Sequence, residues 1–150
     1  MSAPKPNRST SGYDLTPPTP DRHRELADGL NEEERRVILS HGTERPFCGG
    51  LLLNKKPGVY VCRLCSLPLF SSLAKFESGT GWPSFFEAFD PDHITELVDD
   101  NLGYIRTEIR CGRCDGHLGH VFPDGPKPTG LRYCLNSVSL KFEDFGSGSK

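Results

Sequence analysis

Apolar positions along this chain recur mostly with a period of two, the spacing that sends alternate side chains to opposite faces of a β-strand. Over residues 104–111, Ile105, Thr107 and Ile109 alternate with Arg106, Glu108 and Arg110, which predicts a half-buried strand. Val59-Tyr60-Val61 predicts another, following the turn residues Lys56-Pro57-Gly58. A further strand is expected over residues 131–137, continuing through Val138, Leu140 and Phe142. Helical signals are confined to the N-terminal third. Thr19-Pro20 sets a capping hydroxyl before a proline at the first helical position, for a short helix ending at Asp28 and Gly29. Asn31 and Glu34 form a capping box, the acidic-to-basic run over 32–36 suits the helix dipole, and Gly42 is expected to close this second helix after Val37 and Ile38. Between strands, the glycines flanking Thr80 and the Trp82-Pro83 pair predict a rigid loop over 76–86, and residues 124–130 a turn-rich one.

Length and composition narrow the class. Residues 1–12 offer almost nothing to bury and are expected to be a disordered tail, 147–150 a flexible end, and 13–146 a single domain. No apolar run after Met1 suggests a signal peptide or a membrane span, so a cytoplasmic, reducing setting is expected. The six cysteines are then metal ligands or reactive thiols rather than a disulfide framework. A formal net charge of −2 lacks the basic footprint of a nucleic-acid binder.

Two Cys-x-x-Cys knuckles, Cys62-Arg63-Leu64-Cys65 and Cys111-Gly112-Arg113-Cys114, each follow a predicted strand. Four thiolates satisfy the tetrahedral preference of Zn²⁺, so a closed structural zinc site on Cys62, Cys65, Cys111 and Cys114 is expected to contribute folding energy. The competing reading is a redox-active dithiol, a motif that would normally open a helix and occur once.

Cys134 is not absorbed by that set. On a strand, Arg132, Cys134 and Asn136 share one face, where the cation would favour the thiolate and the amide could hold a polar atom. A buried cysteine serving as a small hydrophobe is the plainer alternative. Cys48, followed by Gly49-Gly50, is either an idle thiol or one in a segment free to move. Trp82 is either a packing aromatic or an apolar wall for a ligand. His117 and His120, spaced by glycine, are either structural or proton-transfer groups, since histidine titrates near neutrality.

Together the runs Thr43-Glu44-Arg45-Pro46-Phe47, Ser78-Gly79-Thr80-Gly81-Trp82-Pro83-Ser84-Phe85, Gly116-His117-Leu118-Gly119-His120-Val121-Phe122 and Gly130-Leu131-Arg132-Tyr133-Cys134-Leu135-Asn136-Ser137, with both knuckles, resemble the B-type methionine-R-sulfoxide reductases over roughly residues 30–145. The resemblance implies a mainly β, tent-like fold of two antiparallel sheets with short N-terminal helices outside and zinc at the end away from the active site. It implies that Cys134 attacks the sulfoxide sulfur, that His117 and His120 orient and protonate the oxygen, with His120 the donor, that Arg132 and Asn136 polarise the site, and that Trp82 and Phe122 bind substrate. Cys134 would be left as a sulfenic acid needing a second thiol. Many relatives carry that thiol where this chain has Thr80, which cannot form a disulfide. Cys48 is therefore expected to resolve Cys134, its segment moving inward, with thioredoxin reducing the disulfide of a monomeric enzyme. The rivals are a zinc-stabilised binding module, a zinc-ribbon nucleic-acid protein disfavoured by charge, and a general thiol oxidoreductase with one knuckle free of metal.

Overall fold

A computed structural model describes residues 8–45, 47, 49–100 and 103–144. Among these residues two α-helices precede nine strands. Helix α1 (Pro20–Asp28) has the expected cap, Thr19 Oγ1 accepting from the Arg22 N–H at 3.2 Å, and ends at Gly29. Helix α2 (Glu32–Ile38) carries the full capping box: Asn31 Oδ1 accepts from the Glu34 N–H at 2.8 Å and Glu34 Oε1 from the Asn31 N–H at 2.9 Å. It stops earlier than Gly42. Leu39 is the cap, and the Gly42 N–H turns back onto the Arg36 carbonyl, so close to that residue that a Cβ would lie 2.9 Å from its oxygen. The glycine answers to crowding rather than to helix capping.

The strands are β1 (Gly58–Cys62), β2 (Pro68–Ser71), β3 (Lys75–Phe76), β4 (Ser84–Phe85), β5 (Ile94–Asp99), β6 (Arg106–Cys111), β7 (His117–Phe122), β8 (Arg132–Leu135) and β9 (Leu140–Asp144). All pairings are antiparallel, in one sheet ordered β2-β1-β9 and another ordered β3-β4-β8-β7-β6-β5. The mainly β, two-sheet architecture with short N-terminal helices is therefore as the sequence led us to expect.

Aromatic side chains from both sheets fill the space between them. Phe70 of β2 stacks on Phe85 of β4 with ring centroids 4.5 Å apart, Tyr60 of β1 meets Phe85 edge-on at 5.1 Å, and Tyr133 of β8 leans on Phe70 at 5.5 Å. Rings of this size dominate the apolar area removed from water, and such contacts add to burial. Because β8 alternates, Tyr133 and Leu135 are buried while Arg132 and Cys134 are half-buried and turn to the other face. One strand thus divides the core from the candidate site.

Other sequence expectations are corrected as well. The strand bearing Cys134 does not run on through Val138, Leu140 and Phe142: β8 ends at Leu135, a 3-10 turn occupies Ser137–Ser139, and β9 belongs to the other sheet. Its apolar alternation survives across the corner because both flanking segments face the same core, so periodicity alone cannot see the break. The 76–86 stretch is not all loop, since Lys75 and Phe76 pair with Phe85 and Ser84. Of the expected tail, residues 8–12 are among those described. Residues 1–7 lie outside the described residues, but Ser11 donates to Asp90 at 2.6 Å, Thr10 to Asp92 at 2.9 Å, and buried Ser9 bonds to the buried ring of His93 at 2.8 Å. Short hydroxyl side chains here satisfy carboxylates that composition alone leaves unpaired. The expected flexible end, 147–150, also lies outside the described residues.

Candidate active site

The strand register assembles the site. Cys134 of β8 stands opposite Ser84 of β4 on one side and His120 of β7 on the other, and His120 stands opposite Glu108 of β6. Residues so paired project from one face. A regular strand would send His117 and His120, three apart, to opposite faces. A register shift corrects this: Ile109 pairs with Gly119 but Arg110 with His117, so Leu118 is an extra residue that puts both imidazoles on the Glu108 side, ring centroids 5.7 Å apart.

On this face lies a cavity of about 220 Å³ walled by Cys134, Arg132, His120, Trp82, Phe122 and Asn136, with Thr43, Thr80 and Arg106 also at its lining. Arg132 is fixed by Asp124, its Nε donating to Oδ1 at 2.9 Å and Nη2 to Oδ2 at 3.2 Å, and its guanidinium lies 4.4 Å from the centre of the Phe122 ring. The aromatic wall and the cation are thus braced together. Trp82 donates its indole N–H to the Glu44 carbonyl at 3.0 Å, leaving the ring as an apolar surface. His120 Nε2 lies 2.8 Å from Asp99 Oδ2, and Arg106 donates to the same oxygen at 3.0 Å.

Two expected roles look different in the structure. Arg132 does favour the thiolate, but burial outweighs it: the Cys134 thiol is pushed up by desolvation, with Arg132 and a hydrogen bond from Thr80 pulling down and nearby Glu44 pushing up again. Thr80, silent as a disulfide former, is thus a polar neighbour of the nucleophile candidate. Asn136 is buried and already engaged, its Oδ1 accepting from the Glu44 N–H at 3.0 Å and its Nδ2 donating to the Leu118 carbonyl at 3.1 Å. It tethers the Thr43-Glu44 segment to β7.

His117 does not line the cavity; its Nδ1 lies 2.7 Å from Glu108 Oε2. Cys48 lies outside the described residues. The segment after it is less free than its glycines suggested: a Cβ on Gly49 would lie 2.2 Å from Ser137 Oγ and 2.4 Å from Glu44 Oε2, whereas Gly50 has open space. Sequence reasoning missed Asp99, Asp124, Glu108, Arg106 and His41. Glu108 and Arg106 had been read only as the polar side of an alternating strand, and that side proves to be the site face.

The four knuckle cysteines come together at the opposite end of β6 and β7 from Arg106 and Phe122. Their sulfurs all lie within 4.8 Å of one another, with Cys62 to Cys114 at 3.6 Å and Cys65 to Cys111 at 3.5 Å. A tetrahedron with bonds of about 2.3 Å has edges of roughly 3.8 Å, so the set is positioned to bind a metal ion and suits zinc. Cys62 ends a strand of the smaller sheet and Cys111 one of the larger, so a bound ion would staple the two.

A half-buried thiol beside an arginine, a carboxylate-anchored imidazole and two aromatic walls, on a two-sheet fold with a four-thiolate cluster, defines a thiol-dependent enzyme class. The SelR domain matches residues 30–144. The chain is 61% identical over 139 residues to the peptide methionine sulfoxide reductase MsrB of Caulobacter vibrioides, covering 93% of this chain and 87% of that protein. The MsrB of Xylella fastidiosa is 61% identical over 135 residues, 90% of this chain and 87% of its own, and that of Escherichia coli 54% over 126 residues, 84% and 92%. The chain belongs to the MsrB family of peptide methionine sulfoxide reductases.

Proposed function

We propose that this chain reduces the R epimer of methionine sulfoxide, free or in proteins, to methionine, with Cys134 as nucleophile. The observation that carries the reading is the position of Cys134 in a cavity walled by Trp82 and Phe122, between Arg132 and His120. The sulfoxide sulfur is electrophilic and its oxygen basic, so the reaction needs a thiolate and a proton. Cys134 attacks the sulfur, the methyl packing on Trp82, and His120, oriented by Asp99, delivers the proton to oxygen. The sum is one thiol plus one sulfoxide giving one sulfenic acid and one thioether, with the thiol proton ending on the transferred oxygen.

Cys48 then attacks the Cys134 sulfenic sulfur, a disulfide forms and water leaves. Support comes from the cysteine set, in which Cys48 alone remains beyond the metal cluster and Cys134, and from Gly49, its chain neighbour, seated against Ser137. Thioredoxin reduces the disulfide by exchange. Zinc on Cys62, Cys65, Cys111 and Cys114 supplies folding energy and takes no part at the cavity. The chain works as a monomer in the reducing cytoplasm, where its six cysteines serve as metal ligands and redox thiols.

Racemic sulfoxide in a blocked methionine tests the reading. Incubated with the reduced chain, dithiol reductant and chiral separation of what remains, the R epimer should disappear while the S epimer persists. Loss of S, or of neither, would overturn it.

A further inference from the structure

Trp82 borders more than the cavity of Cys134. It also lines a second cavity of about 180 Å³, whose other walls include Phe47, Leu52, Leu53, Phe76 and Pro83. That one shares Lys75, Phe76 and Glu77 with a third, of about 330 Å³, to which Asn54, Lys55 and Ser72 also contribute. Each hollow has walls in common with the next, and together they make a groove leading away from Cys134. One side is the segment 47–55; the other is β3 and the loop after it. Among the described residues β3 is the outermost strand of the larger sheet. Two hydrogen bonds tie the sides together: the Phe47 N–H donates to the Gly81 carbonyl at 2.7 Å, and Lys75 Nζ to the Leu52 carbonyl at 2.7 Å. The groove is thus built before a ligand arrives. Lys55 and Glu77 pair at 2.9 Å with both side chains largely exposed, a contact of the kind that contributes little and gives way easily.

Phe47 is 69% exposed and Leu53 78%. A single apolar side chain in water is ordinary, but these two stand on one groove that opens beside a reactive thiol. Phe47 also sits on left-handed backbone, φ 66°, which a bulky residue rarely adopts. A methionine sulfoxide within a protein carries chain on both sides, whereas the free amino acid needs only the first cavity. The first two cavities are separated by the span of one tryptophan, which an extended chain, rising about 3.3 Å per residue, crosses in about two or three residues. Methionine is a core residue with apolar neighbours, and its oxidation disrupts the core and exposes such segments.

We propose that the groove running from Trp82 along β3 binds the extended polypeptide that flanks a methionine sulfoxide, with Phe47 and Leu53 receiving an apolar side chain about two or three residues away from it. The groove makes sulfoxides in apolar, unfolded segments better substrates than those in polar ones. The inference deepens the reductase reading above and rests on it. Because Cys48 follows Phe47 in the chain, the rival occupant is the thioredoxin that would reduce its disulfide.

The test uses the full, metal-loaded chain with dithiothreitol as reductant, so that no protein partner is present. Two blocked seven-residue peptides carry the sulfoxide at the centre, with leucine in one and serine in the other at the second and third positions on either side. In wild type, kcat/KM should favour the leucine peptide about ten-fold or more, the scale of an apolar side chain finding a pocket. In the double variant Phe47→Ser, Leu53→Ser the preference should fall to within about two-fold. The ratio within one protein is independent of how much of that protein is active. A wild type that reduces both peptides alike overturns the proposal without recourse to any variant. A preference retained in the double variant overturns it too, and if the same variant raises KM for thioredoxin, the groove belongs to the reductant. A wild type inactive on both peptides and on blocked methionine sulfoxide overturns the reductase reading; activity on blocked methionine sulfoxide without a leucine preference overturns this proposal alone.

Discussion

Burial and charge pull the Cys134 thiol in opposite directions, and burial prevails. A thiol so placed stays protonated at rest, and Arg132 and Thr80 limit the cost of ionising it. The thiolate accumulates only as pH rises through a midpoint above the ordinary thiol value, so alkylation of Cys134 should accelerate with pH. Arg132→Gln and Thr80→Val, each removing a downward influence, should both move that midpoint further up and slow alkylation at neutral pH. Iodoacetamide labelling read by mass spectrometry checks this, and a midpoint unchanged or lowered would contradict it. At this scale the sequence carried the shared face of Arg132 and Cys134, because period-two geometry depends only on local backbone. It could not carry the anchors Asp124, Asp99 and Glu108. Asp124 lies in a loop that read only as turns, and the other two are brought in by the register among the consecutive strands β5, β6 and β7, which includes a bulge that alternation does not reveal.

Strand β7 is the element on which the arrangement turns. Its bulge at Leu118 gathers two histidines on one face, and its Gly119 lies against β8 so closely that a Cβ would sit 1.9 Å from the Cys134 carbonyl oxygen. Backbone cannot yield as a side chain would, so Gly119→Ala should force β7 from β8 and cost about 1–3 kcal/mol, the range of overpacked cores. Urea unfolding of the metal-loaded protein measures this; a cost below about 0.5 kcal/mol, the range of surface substitutions, would mean the strands accommodate the methyl. The helix caps were legible because capping is local chemistry. The turn from β8 into β9 was not, since Asn136 and the residues after it are held by Glu44 and by the Leu118 and His117 carbonyls, partners that no window of neighbouring residues contains.

For the whole molecule, two sheets share an aromatic core and converge on four cysteines, so a bound metal would act on the same interface as the core. The spacing of the knuckles announced the cluster, as strand-delivered thiol pairs do; that one pair comes from each sheet required the fold. Stripping the metal with a strong chelator under reducing conditions should lower the melting temperature by roughly 10 °C or more, because structural metal binding contributes directly to folding free energy. Calorimetry with metal analysis reads this, and an unchanged transition in metal-free protein would remove the ion from the stability of the fold.

The central claim is that Cys134 takes the sulfoxide oxygen. We would measure it in a single turnover of Cys48→Ser without reductant, counting methionine and locating the oxidised cysteine by mass spectrometry of its sulfenic-acid-trapped adduct. The account predicts about one methionine per chain and the adduct on Cys134. Methionine formed with Cys134 unmodified, or formed undiminished by a Cys134→Ser chain, would contradict it.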